Sequence, residues 1–159
     1  MQRSFVLVAC AAVLTGCVTA KVERDSQLAP EPAWEATLTP GAGHTLRGRV
    51  TVLPLPGGGR GIASRSRVTV SIEGAAPGAS YAWHVHRGTC GSDGPIVGPA
   101  SNYVPVPVGG GGAAQLIAEI PIRLSRGGAY FAHVHDAVGS NVAACGALQQ
   151  GGAQVLTSR

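Results

Sequence analysis

Four of the five histidines in this chain fall into two matching pairs, in the segments Tyr81-Ala82-Trp83-His84-Val85-His86 and Tyr130-Phe131-Ala132-His133-Val134-His135. Imidazole nitrogens coordinate transition metals, and two pairs of them imply a metal site. A set made only of imidazoles suits copper or zinc, whereas magnesium and calcium take oxygen ligands. Ligand nitrogens on one ion must lie within about 3 to 4 Å of each other, given metal–nitrogen distances of roughly 2 Å. Residues i and i+2 on a strand are separated by about 7 Å at Cα. Each pair is therefore only part of a site, and a third ligand must come from a second strand. The candidates are His84, His86, His133 and His135. The fifth histidine, His44, follows Gly41-Ala42-Gly43 in a turn and is expected on the solvated surface.

Strands are the elements that place such pairs on one face. With a side-chain period of two, His84 and His86 share one side while Tyr81, Trp83 and Val85 share the other, and the second copy behaves alike. The rest of the sequence agrees with strands. Glycine (24) and proline (11) are abundant and aromatic residues are scarce at 4%, so turns are frequent and the core must be built from Val, Ile, Leu and Ala. Leu46 to Leu53 and Arg67 to Ile72 read as a hairpin around a Pro- and Gly-rich turn. Residues 88 to 112 read as a long loop with a short extended piece near Tyr103 to Val108. Ala114 to Leu124 alternates, and Val142 to Leu148 with Gln154 to Leu156 completes about eight strands. No stretch has a helical period. The expected fold is all-β, a Greek-key β-sandwich or flattened barrel.

At the N-terminus, Arg3 precedes an apolar run from Phe5 to Leu14 that is too short to span a bilayer, the pattern of an export signal. It ends in Leu14-Thr15-Gly16-Cys17, which resembles the bacterial lipobox. That resemblance implies removal of residues 1 to 16, a lipid on Cys17 and a place in the bacterial cell envelope, anchored in the periplasm and more in keeping with the outer membrane than the inner. Residues 17 to 43, polar and Pro-bearing, read as a tether, although Trp34 and Leu38 hint at packing. The domain is then 44 to 159. Cys10 leaves with the signal and Cys17 is taken by the lipid. Cys90 and Cys145 remain, and in an oxidising compartment they suggest a disulfide, with metal ligation or free thiols as the alternatives.

The net charge of +4 is mild. Arg60, Arg65 and Arg67 form the densest basic group, without the aromatic interleaving or basic helix of a nucleic-acid surface, so no nucleic-acid partner is expected.

His84-Val85-His86, then Gly88-x-Cys90, then Ala144-Cys145-Gly146 is similar to the copper/zinc superoxide dismutase family over roughly residues 44 to 148. The resemblance implies that His84 and His86 bind one copper ion, that His133 or His135 completes the site, that Cys90 and Cys145 are bridged, and that the substrate is the small anion superoxide. The chain departs from that family in two places. No histidine lies between Cys90 and Tyr103, so the bridging ligand and the zinc ligands have no counterpart and zinc is not expected. The family's guiding arginine falls at Val142. Gly128-Ala129-Tyr130-Phe131-Ala132-His133-Val134-His135 also resembles the Gly-x-Tyr-x-x-Asn-Val-His stretch of CHRD domains. Non-catalytic copper binding, sequestration or a structural β module is the alternative to dismutation.

Overall fold

The computed structural model describes residues 33–56, 65–138 and 141–151. The segment expected to be an export signal, Cys10, Cys17, Arg60 and the strand expected at Gln154 to Leu156 lie outside them. Nine strands are present among the described residues. They are β1 (Trp34–Pro40), β2 (Arg47–Pro54), β3 (Ser66–Glu73), β4 (Ser80–Tyr81), β5 (Trp83–Arg87), β6 (Val106–Pro107), β7 (Ala113–Ile120), β8 (Tyr130–His135) and β9 (Val142–Gln150). Among the described residues the only helical piece is one short 3-10 turn, Ala100–Asn102. The all-β fold expected from the sequence is the fold observed.

Seven strands form one antiparallel sheet in the order β5-β8-β9-β1-β2-β3-β7, and β4 pairs with β6 in a small second sheet. The chain runs β1, β2, β3 as a meander, crosses to β5 at the far edge, returns to β7, and crosses again to β8. Such long crossings between antiparallel strands are the Greek-key signature. The sheet curls into a half-barrel because each strand buries one face. Val50, Val52, Val68 and Val70 alternate inward with no exposed surface, each contributing roughly 1.5 to 3 kcal/mol by leaving water. Trp83, Val85, Ala132 and Val134 continue that interior from the opposite end of the sheet.

The start of the domain is corrected by β1. Trp34, Ala36 and Leu38 alternate into the core, and β1 sits between β9 and β2 in the middle of the sheet. Residues 34 to 43 therefore belong to the domain and not to a tether. Three small or polar outward residues and the nearby prolines had masked a period-two strand.

The two tyrosines of the repeated segment do the same job. The Tyr81 hydroxyl accepts a hydrogen bond from the Ala76 backbone N–H at 2.8 Å, and the Tyr130 hydroxyl accepts one from the Ser125 N–H at 3.1 Å. In each case the strand's first inward residue ties down the turn five residues upstream, the arrangement of a tyrosine corner. Arg65 and Arg67 both pair with Glu119, at 3.6 and 3.0 Å, on the outer surface of β3 and β7. These exposed pairs contribute about 0.2 to 1 kcal/mol each and offset the local positive charge.

Candidate metal centre

The antiparallel register of β5 and β8 sets His84 opposite His133, with Trp83 opposite Val134 and His86 opposite Phe131. The alternation expected from the sequence holds on β5, where Trp83 and Val85 are buried and His84 and His86 are half-buried on the outer face. On β8 the outward residues Phe131 and His133 are buried too. The loop that follows β5 covers Phe131, with Gly88 and Gly94 against its ring.

That loop is fastened at several points. The Arg87 N–H donates to Pro95 O at 3.0 Å, the Val97 N–H donates to Val85 O at 2.8 Å, and the Gly88 N–H donates to Ala129 O at 2.9 Å. His86 and Ile96 form an antiparallel bridge, so the loop doubles back as a short extra strand along the open edge of β5. Cys90 and Cys145 form the disulfide anticipated from the sequence, with Cα atoms 6.0 Å apart and a sequence separation of 55. Closing a loop of that length contributes about 4 kcal/mol in the chain-entropy account.

Gly94 is where this fastening reaches the histidines. Its carbonyl oxygen accepts a hydrogen bond from His86 Nδ1 at 2.7 Å. A Cβ at this position would collide with the Arg87 carbonyl oxygen and lie 3.3 Å from Phe131 Cε1; only glycine allows the backbone this close. The bond puts the proton of His86 on Nδ1 and leaves a lone pair on Nε2. A phenyl ring at Phe131 stacks on the same imidazole, with ring centres 5.1 Å apart and 13° between planes.

One ring nitrogen from each of His84, His86 and His135 lies within 4.8 Å of the others. His84 Nδ1 and His135 Nε2 are 3.4 Å apart, the spacing of two donors on one ion at metal–nitrogen distances of roughly 2 Å. His86 Nε2 is buried and has no hydrogen-bond partner. Burying such an acceptor unpaired costs about 1 to 3 kcal/mol, and a bound cation removes that cost. The orphaned lone pair, the held tautomer and the exclusively imidazole set fit a transition metal, with the outer hydrogen bond to Gly94 of the kind that orients ligating histidines. These three histidines can hold a metal ion.

Electrostatics keeps the donors ready. Burial, then the neighbouring His135 and His86, lowers His84 to about 4, and His135 is lowered by burial and His86 against an opposing pull from Asp136. Neutral imidazole, the form that coordinates, is thus favoured well below pH 6.5. His133 lies outside the trio. It too is pushed to about 4, by burial and then by His86, His135 and His84. Of the two later histidines, His135 is the one brought to His84 and His86. His44 lies in the Gly41 turn and is not one of the converging three, its backbone N–H donating to Gly41 O at 3.1 Å.

Tyr103 closes one flank, and sequence reasoning had not assigned it a part. Its ring meets His84 at 5.2 Å and Trp83 at 4.9 Å between centres, and its hydroxyl donates to Val97 O at 2.6 Å. Burial raises its pKa to about 12, so it stays a neutral donor. The only sequence signal was an isolated aromatic residue in a Gly/Pro-rich loop. The Val142 position pairs with His135 and gives the site an apolar neighbour. Arg87 points to the other side of β5, its guanidinium 5.8 Å from the Tyr130 ring centre. Neither residue sets a cation beside the trio.

No protein-family model and no curated protein matches this chain.

Proposed function

We propose that the chain binds one copper ion through His84, His86 and His135 and uses it in superoxide-dismutase-like chemistry. The observation that carries this reading is the convergence of three imidazoles, one of them presenting a buried nitrogen with no other partner. Copper is favoured over zinc because the motifs around His84, Cys90 and Cys145 resemble those of the copper/zinc superoxide dismutases while the zinc ligands of that family have no counterpart in the covering loop. Bound copper supplies one-electron redox cycling, which converts two superoxide anions and two protons into oxygen and hydrogen peroxide. The protein's own share is to fix the His86 tautomer through Gly94, to keep His84 and His135 unprotonated, and to leave the outer face of β5 open to a small anion. In this reading the domain is exported and tethered to the bacterial envelope by a lipid on Cys17, with residues 18 to 33 as spacer.

A second reading is favoured by one observation. The position beside His135 is Val142, and Arg87 is turned to Tyr130, so neither position offers an incoming anion a cation for steering. Copper holding or delivery without turnover fits that surface. Purified full-length protein loaded with copper separates the two. Stoichiometric copper together with superoxide turnover that disappears in His84→Ala supports the enzyme. Stoichiometric copper with turnover no faster than His84→Ala leaves the holding function, and loss of neither copper nor turnover in that variant overturns the site itself.

A further inference from the structure

The seven-stranded sheet ends in two edge strands, β5 and β7, and they are finished differently. Residues 94 to 97 run along the free side of β5 and bond to its backbone, Arg87 N–H to Pro95 O and Val97 N–H to Val85 O. β7 pairs with β3 over its whole length, from Ala113 opposite Glu73 to Ile120 opposite Ser66, without a bulge. Among the described residues no other backbone hydrogen bond involves Ala113 to Glu119, so the row of N–H and C=O groups on the far side of β7 is open.

The side chains of β7 show the same lack of cover. Val68, Val70 and Ile72 of β3 are fully buried or nearly so, whereas Ala118, Leu116 and Ala114 opposite them are only partly buried against the same core. On the outer face Ile117 is 59% exposed. An open edge templates another strand, and chains that stay single blunt it with proline, lysine, a bulge or an uncompensated charge. Between Ala113 and Ile120 there is no proline and no lysine. The one charge, Glu119, is already matched by Arg65 and Arg67 of β3.

We propose that β7 is the interface of a homodimer, in which β7 of a second copy adds antiparallel across a two-fold axis at Ile117 and joins the two sheets into one. The strand is self-complementary in that register. Ile117 faces its own counterpart, Leu116 faces Ala118 and Ala114 faces Ile120, so apolar side chains meet on both faces. Gln115 faces the Glu119 carboxylate, and although one of its amide N–H groups is given to Ser71 Oγ at 3.0 Å, it keeps a second for that acceptor. A two-fold axis one residue earlier, at Leu116, would set Ile117 against Gln115 and Glu119 against Ala113, leaving both without a complement. A second copy also fits better than an open-ended fibre. The described residues offer one open edge per chain, so once β7 is paired both ends of the sheet are closed and association stops at two. The histidine trio lies at the opposite edge of the sheet, so this inference is independent of the copper reading.

Analytical ultracentrifugation of the full-length protein at micromolar concentration reads the assembly directly. A dimer is expected for the wild type and a monomer for Ile117→Lys, in which two ammonium groups meet on the axis, with the dissociation constant raised at least about 100-fold and the circular-dichroism spectrum unchanged. Under mild oxidation Ile117→Cys should bridge to its counterpart, because opposite residues of an antiparallel pair have Cα atoms about 4.5 to 5.5 Å apart, within disulfide reach. Gln115→Cys lies about 13 Å from its own counterpart by the strand rise and should not bridge above the wild-type background. A monomeric wild type, a dimer that survives Ile117→Lys, or bridging no greater at position 117 than at position 115 overturns the proposal, and species larger than a dimer overturn the closed two-fold. The two cysteine variants decide the matter even if Ile117→Lys fails to fold.

Discussion

The same Tyr-x-x-His-Val-His pattern runs from β4 into β5 and fills β8, but β5 and β8 pair head to tail with His84 opposite His133, so the second histidines of the two copies, His86 and His135, stand at opposite ends of the shared face. The trio takes both histidines of β5 and only the last of β8. β5 is an edge strand whose free side is taken up by residues 94 to 97, and that contact turns His86 through the Gly94 carbonyl. β8 is an inner strand between β5 and β9, and its His133 has no backbone carbonyl holding it. Identical local sequence thus yields different chemistry because the neighbours of the two strands differ. A motif places imidazoles on a face; the strand's position in the sheet and the loop above it decide how each ring is aimed.

The largest break in that comparison should come from Gly94→Ala, which strikes the device peculiar to β5. The new methyl group collides with the Arg87 carbonyl oxygen, so the loop must lift and the hydrogen bond to His86 is lost. Copper affinity should fall 10- to 100-fold, the usual cost of removing an outer partner of a ligating histidine, and folding stability by about 2 kcal/mol. Chelator competition and urea denaturation measure the two effects. Unchanged copper affinity at reduced stability would show that His86 is aimed by its own strand and not by the loop.

Acid sharpens the comparison on the other side, because it acts on His84 of β5 and His133 of β8 alike. Both are lowered in the fold from 6.5 to about 4. The unfolded chain therefore binds more protons between these values, and stability of the metal-free protein should rise with pH across that window and be lost as pH falls from about 6.5 toward 4. The same shift changes what the sequence alone leads one to expect of the metal. Ordinary histidines would begin to release copper below about pH 6, whereas burial delays proton competition at His84 toward pH 4. Denaturant titrations of the metal-free protein at pH 7 and 5 test the first point, since equal midpoints would contradict the depressed values. In His133→Phe, the His133 contribution should vanish and the slope with pH should shrink.

Much of this was legible in the chain, and the reasons differ by element. The hairpin of β2 and β3 was visible because Val68, Val70 and Ile72 alternate cleanly against Thr69 and Ser71, and β5 was visible because Trp83 and Val85 contrast with two histidines. β1 was harder to see, since Ala36 is small, Pro40 ends the strand, and a period of two reads weakly over seven residues. The histidine pairs could be found from spacing alone. Which of His133 and His135 would join the first pair could not, because that choice depends on register across strands 51 residues apart and on a carbonyl from residue 94. Tyr103 was hidden for the same reason, as a loop residue whose place is set by Val97 and Trp83.

The smallest expected effect concerns the part of the motif that the two copies use identically. Tyr81→Phe and Tyr130→Phe each delete one hydroxyl that accepts a backbone N–H five residues upstream, and a lost hydrogen bond of this kind costs about 1 kcal/mol. The two variants should lower the denaturation midpoint by similar amounts, and neither should alter copper affinity, because both rings face the core and the histidines face away. If Tyr130→Phe weakened copper binding while Tyr81→Phe did not, the corner that starts β8 would be helping to place His135, and the two tyrosines would be as unequal as the histidines that follow them.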